Sequence, residues 1–291
     1  CLFAFIVLLI SSIIIKYSLF YISPYSKRKY FIALTLLFVF RIIVVVFSGD
    51  IFFLMLGWDG LGLISFFLIA YYQSQSRISS SIFTVLMNRL GDCFFVISIC
   101  MFSNYLTMTP FTSYFPPVLL TSMLCVTFIT KRALYPFSPW LPIAIAAPTP
   151  ISALVHSSTL VTAGLYLIIR FSYFFYRSFY LIQILVIIRV FTSLYAGLNS
   201  VFEIDLKKVI ALSTLSHLGF IGLSFSCGFL HLAFFHLLTH ALFKSLLFMS
   251  IGDIITNLNH SQDARHLSSG HLFTPLSCSI ISVRLLNLLG M

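Results

Sequence analysis

The sequence predicts an all-α polytopic membrane protein with about ten transmembrane helices, one of them broken. Composition is the first observation: 60% of the 291 residues are hydrophobic and only 8% are charged. A soluble domain has about 45–50% apolar residues and about 25% charge. The second is segment length, because apolar stretches of about 17–25 residues recur between polar breaks, the length needed to cross hydrocarbon as helix. The third is periodicity. These runs are too long for strands and lack the period-2 alternation of an outer-membrane barrel.

In chain order the spans fall near residues 1–20, 31–48, 51–72, 82–103, 112–133, 150–170, 178–199, 209–228, 230–251 and 272–290. The third opens with Gly57-Trp58-Asp59-Gly60-Leu61-Gly62. Its glycines permit close helix approach, and Asp59 is either a solvated acid beside an interfacial tryptophan or a carboxylate entering the membrane. The fourth carries Asn88-Arg89-Leu90-Gly91-Asp92, where Arg89 and Asp92 at i and i+3 can neutralise each other.

The fifth closes on Lys131-Arg132, followed by Pro136, Pro139, Pro142, Pro148 and Pro150. Proline breaks helices, and irregular backbone at membrane depth persists only where it is buried or lines a cavity. Lys131 therefore reads as an ion-path lysine on a broken helix or as a snorkelling cation. His156 follows among hydroxyls in Ser152-Ala153-Leu154-Val155-His156-Ser157-Ser158-Thr159, suited to proton relay or to helix packing. Asp205-Leu206-Lys207-Lys208 opens the eighth span, and capping and topology account for most of it.

The ninth span carries the most informative pattern, His236-x3-His240-x3-Lys244. At about 100° per residue, steps of four drift by only about 40°, so the three side chains climb one helix face over about 12 Å. A charge within hydrocarbon costs at least ~2.5 kcal/mol, and such groups usually face a protein interior or a water-filled path. This ladder of protonatable groups directs the search for function toward proton or ion movement.

The net charge of +10 does not mark a nucleic-acid binder, because the cations lie at membrane edges and form no soluble basic domain. Lys27, Arg28, Lys29, Arg77, Lys207, Lys208 and Arg265 occupy alternate loops, against Arg170 and Arg177 on the other side. The first set marks the cytoplasmic or matrix face. The six cysteines, at positions 1, 93, 100, 125, 227 and 278, show no C-x2-C spacing and read as small hydrophobes. No Walker loop, dinucleotide turn or zinc spacing appears, so no nucleotide, cofactor or metal site is expected in this chain. It opens at Cys1 and closes at Met291 inside apolar segments, with no signal-peptide pattern, and is expected to be a fragment truncated at both ends.

Taken in order, these motifs resemble the antiporter-like, proton-pumping subunits of respiratory complex I, the family of mitochondrial NADH dehydrogenase subunit 5. Besides the motifs above, the resemblance runs through Ser138-Pro139-Trp140-Leu141-Pro142, the stretch from Ala147 to Val161, and Thr239-His240-Ala241-Leu242-Phe243-Lys244. It implies an inverted-repeat bundle, with a first repeat at about 1–170 and an incomplete second at about 178–291. It also implies a proton path through Asp59, Lys131, His156, His236, His240 and Lys244, with Asp59 acting on Lys131. Many relatives have Glu at Asp59, and Arg132 stands where relatives usually have a small residue, adding a second cation if it shares a cavity with Lys131.

FMN, iron–sulfur clusters and ubiquinone are implied in partner subunits. The partners implied are other membrane subunits of complex I and the lipid bilayer, with no nucleic acid and no small-molecule substrate other than protons. The implied location is the mitochondrial inner membrane. The family's first helices, a later lysine on a second broken helix and the C-terminal helices are expected outside this chain. Alternatives are a subunit of a multisubunit cation/proton antiporter, which shares this architecture, and a structural copy whose ladder no longer works.

Overall fold

A computed structural model of the chain describes residues 1–22, 28–108, 118–145, 147–257, 261–265 and 274–289, and among these all side chains except those of 104–108, 118, 156–158 and 284–289. The described residues form α1 (Leu2–Tyr21), α2 (Arg28–Phe47), α3 (Ile51–Ile69), α4 (Gln75–Met108) and α5 (Val118–Lys131). Next come the short α6 (Trp140–Ala144) and α7 (Thr149–Ser152), a π-helical segment (Ala153–Thr159), α8 (Leu160–Arg170) and α9 (Ser172–Tyr176). The chain continues through α10 (Phe179–Phe202), α11 (Leu206–Ser226), α12 (Leu230–Asn257) and α13 (Pro275–Leu289).

Among the described residues, eight helical stretches are long and apolar enough to cross a membrane. They match eight of the expected spans. The other two coincide with α5 and α13, which are shorter, at 14 and 15 residues. The Thr149–Arg170 stretch is the central element, since 93% of its apolar window is buried by its neighbours.

Burial sorts residues here by a logic opposite to that of a soluble helix. On α10, Ile184, Ile187, Phe191, Leu194, Leu198 and Val201 are exposed, whereas Leu185, Arg189, Thr192, Ser193 and Ala196 are buried. The outward face meets hydrocarbon tails, so the polar side chains turn inward, where other helices can satisfy them.

Small residues set how closely the helices approach. A Cβ at Gly219 of α11 would lie 2.9 Å from Ser193 Cβ and 3.1 Å from the Arg189 carbonyl oxygen of α10. One at Gly57 of α3 would lie 2.7 Å from a Val45 methyl of α2. Gly219→Val should therefore push α10 from α11 and destabilise the fold by about 1–3 kcal/mol, the usual cost of overpacking. A lower thermal midpoint and less assembled protein would register it, and wild-type values for both would contradict the close contact.

Helix α5 stops at Lys131. The chain turns through Ala133, whose φ of 54° is left-handed, and the Thr130 carbonyl at this helix end accepts from both the Ala133 N–H at 3.2 Å and the Trp140 indole N–H at 2.9 Å. In the π segment the Thr159 hydroxyl donates to the Leu154 carbonyl at 2.5 Å. A widened turn of this kind is frequent at functional sites. At one end of the bundle, 261–265 lies against the start of α11 through Leu206 N–H to Gln262 O at 3.1 Å and Ala264 N–H to Ile204 O at 3.1 Å. At the other end, Arg170 donates to Ser48 O at 2.6 Å, tying α8 to the α2–α3 turn.

Candidate functional site

Buried cations occupy the interior in several places among the described residues. The first lies where α3, α4 and α5 meet. Lys131 is 1% exposed, and its ammonium donates to the Trp58 carbonyl at 3.0 Å, stands 4.7 Å from the Trp58 ring centre, and lies 3.4 Å from Asp92 Oδ1. Gly62 lines the same spot, where a Cβ would stand at ordinary contact distance, 3.5 Å, from this nitrogen. Trp58 is itself held by Phe95 and Phe128, at ring separations of 5.9 and 6.0 Å. The side chain of Lys131 is therefore drawn inward among fixed groups, and the snorkelling reading does not hold.

Its acid partner is not Asp59. Asp59 instead binds Arg89 at 2.5 Å, with about a third of its side chain exposed. The motif Asn88-Arg89-Leu90-Gly91-Asp92 thus sends its two charges across separate helix interfaces, Arg89 toward α3 and Asp92 toward α5, and the neutralisation expected within α4 is replaced by two interhelical pairs. The rotation of α4 explains this. Gly91 places the α4 backbone against Thr130, which brings Asp92 to the end of α5. Met55, Trp58, Asp59, Arg89, Asp92 and Cys93 help line a cleft of about 140 Å³, large enough for several waters beside both acids.

Arg132 does not share that cleft. It turns the opposite way, is wholly buried, and donates to the Leu218 carbonyl of α11 at 3.3 Å, with its stem across Gly164. There it approaches Arg189 of α10, also wholly buried, which donates to the Gly222 carbonyl. Gly222 makes the meeting possible, because a Cβ there would come within 2.7 Å of Arg189 Cδ and 3.0 Å of Arg132 Nη2. A sequence reading that flagged Lys244 as a charge in an apolar run passed over Arg189, to which the same argument applies.

A further group joins α11 and α12. Lys244 is wholly buried and donates to Ser213 Oγ at 2.8 Å. His240 is 3% exposed with neither ring nitrogen hydrogen-bonded, and His236 lies further along the same face, partly buried. His217 of α11 bridges the two, its ring centre 6.0 Å from that of His236 and 6.0 Å from that of His240. The three residues read from spacing therefore do share a face, and His217 with Ser213 completes it from the neighbouring helix. The signal for these was present: Ser213-x3-His217 repeats on α11 the four-residue step that singled out α12.

The backbone of His156 lies in the π segment beside α12, and its side chain lies outside those described. Lys207, in a motif expected to serve mostly capping and topology, is buried and reaches the Ala147 carbonyl at 3.5 Å, whereas Lys208 stays near the surface with Asp205 at 2.8 Å.

An interior holding lysines, imidazoles, hydroxyls and a paired carboxylate within spanning helices can pass protons between neighbours through intervening water. A family model described as "NADH:quinone oxidoreductase/Mrp antiporter, TM" matches residues 48–291. The chain belongs to this family. Its members include NADH-ubiquinone oxidoreductase chain 5 of Anopheles arabiensis, 45% identical over 291 residues and matched over 98% of this chain and 76% of the relative. The proteins of the same name from Anopheles gambiae and Caenorhabditis elegans are 45% and 42% identical over 98% and 92% of the chain.

The chain spans about half the length of both of these. Among solved structures, the Mrp complex from Dietzia sp. superposes with a TM-score of 0.83 at 26% identity, over 94% of this chain and 32% of that one. An archaeal membrane-bound sulfane sulfur reductase shares the fold, with a TM-score of 0.79 at 23% identity over 94% of this chain and 61% of that one. The antiporter-like fold inferred from the motifs is the fold observed.

Proposed function

We propose that this chain is part of a proton-translocating membrane subunit of NADH:ubiquinone oxidoreductase in the mitochondrial inner membrane. The observation that carries the reading is the set of buried cations within a chain 45% identical to proteins named NADH-ubiquinone oxidoreductase chain 5. Electron transfer from NADH to ubiquinone would occur on FMN and iron–sulfur clusters held by partner subunits. This chain would contribute proton movement driven by that reaction.

In the reading we favour, Asp92 holds the proton of Lys131 while the two stay close, and parting them releases it. Asp59 acts at one remove, by fixing Arg89 and hence the face of α4 that bears Asp92. Arg132, which follows Lys131 and reaches α11 at Leu218, and Arg189, which reaches it at Gly222, add positive charge that would oppose the passage of a proton until the charge on one side changes. His156, His236, His240 and His217 then relay protons to and from Lys244, with water bridging separations beyond direct hydrogen-bond reach.

A second reading, a subunit of a multisubunit cation/proton antiporter, draws support from the likeness to the Mrp complex. Affinity purification of the full-length protein from its native membrane separates the two. Recovery with flavin- and iron–sulfur-bearing subunits and NADH-driven quinone reduction is expected. Recovery with other antiporter subunits alone, and sodium–proton exchange without redox activity, would favour the second reading.

A further inference from the structure

Helix α12 carries an acid as well, near the end of the bundle that bears the basic loops. Asp253 lies nine residues beyond Lys244, about 14 Å along the helix. It is half-buried, and no salt bridge to it is found among the described residues. Ser277 of α13 faces it from one side, with Oγ 3.5 Å from Asp253 Oδ2.

On the other side, adjacent Gly252 admits the Tyr17 hydroxyl of α1 and the Thr149 hydroxyl of α7. A Cβ at Gly252 would collide with the first and lie 2.8 Å from the second. Neither buried hydroxyl oxygen makes a hydrogen bond of good geometry, although Tyr17 stands beside both Thr149 and Asp253, and Thr149 is 1% exposed. Two buried hydroxyls left unsatisfied beside a half-buried carboxylate are costly unless water joins them. From Thr149 the polar line continues inward, since Lys207 reaches the carbonyl of Ala147, two residues earlier, and Ser213 on the same helix as Lys207 meets Lys244.

We propose that Asp253 is the proton-uptake group of this half of the protein, on the basic-loop side, and that Tyr17 and Thr149 carry its proton inward through bound water toward Lys207 and Lys244. The carboxylate takes a proton from the aqueous phase and gives it to the hydroxyl–water chain. It returns to the charged form with no other bond made or broken. The geometry suits this role: the acid is half-buried where α12 packs against α1, α7 and α13, Ser277 positions one oxygen, and Gly252 lets the Tyr17 and Thr149 hydroxyls approach beside it. The inference rests on the proton-translocating reading above.

The experiment uses the full-length protein in its assembled complex, reconstituted into vesicles with the basic-loop side facing the varied medium. The variants are Asp253→Asn, Asp253→Glu and Tyr17→Phe, with Lys244→Met as reference. Asp253→Asn should slow proton-coupled turnover by about tenfold. The deficit should widen as the medium is made more alkaline and free protons become scarce. Added formate, a small acid able to enter the opening, should restore much of the rate, and Asp253→Glu should retain it.

A structural role would give a deficit that neither formate nor pH alters, and that result overturns the proposal. So does wild-type turnover of Asp253→Asn across the alkaline range. Should Asp253→Asn fail to assemble, Tyr17→Phe, which removes only the hydroxyl against Gly252, decides by the same formate and pH criteria. If Lys244→Met pumps normally, the proton-translocating reading itself fails. If Lys244→Met is impaired and Asp253→Asn is not, only the uptake role is lost.

Discussion

Lys244→Met in the assembled complex should lower quinone reductase activity by about tenfold or more while leaving subunit content unchanged. The expectation follows from burial. Lys244 is fully enclosed and its ammonium has Ser213 Oγ at 2.8 Å, so a methionine of similar length fills the space and removes only the proton carrier. Electron flow falls with it because pumping and redox turnover are coupled in the proposed function. Ser213→Ala is the informative companion. It deletes a hydrogen bond worth about 1 kcal/mol and keeps the ammonium, so its effect should be several times smaller. Activity assays on native-gel-verified complex give the comparison, and equal losses in the two variants would mean that packing, not charge, is what Lys244 supplies.

Asp92→Asn and Lys131→Met should each impair turnover strongly, and the double variant should be no worse than the poorer single one. Lys131 lies wholly inside the bundle, and Asp92, its partner at 3.4 Å, is nearly so. Removing one member leaves the other buried and uncompensated, a penalty of about 3–5 kcal/mol that removing both relieves. The coupling energy should therefore match the smaller single penalty, about 3 kcal/mol or more. Asp59→Asn should be coupled to Lys131→Met more weakly, because Asp59 is engaged by Arg89, is partly open to solvent and acts on Lys131 chiefly through the placing of Asp92. Strong coupling of Lys131 to Asp59 with none to Asp92 would reverse the assignment of partners.

The helices themselves were legible in the sequence because lipid imposes one requirement, an unbroken apolar run that satisfies its own backbone. Even the break after Lys131 was marked, by five prolines that cannot continue a helix. The π segment was not, since nothing in Ala153–Thr159 distinguishes a five-residue hydrogen-bonded turn from an α-helical one. The face shared by His236, His240 and Lys244 followed from a period that α12 keeps throughout its length. Partners across helices were less legible. Whether Lys131 meets Asp59 or Asp92 depends on the rotation of α4 about its axis, set by the contact of Gly91 with Thr130, and no spacing along one helix encodes that. Lys207 misled for a related reason: two adjacent lysines at a membrane edge look alike in sequence, but one position turns inward beneath Ala147 and the next turns out to Asp205.

The central claim is that the buried cations of this chain move protons in step with electron transfer. The number of protons translocated per electron pair, measured in vesicles containing purified complex with Lys244→Met, tests it most directly. A ratio below that of wild type, or turnover so slow that pumping and electron flow vanish together, is the predicted result. A Lys244→Met complex that reduces quinone at the wild-type rate with the wild-type ratio would contradict it.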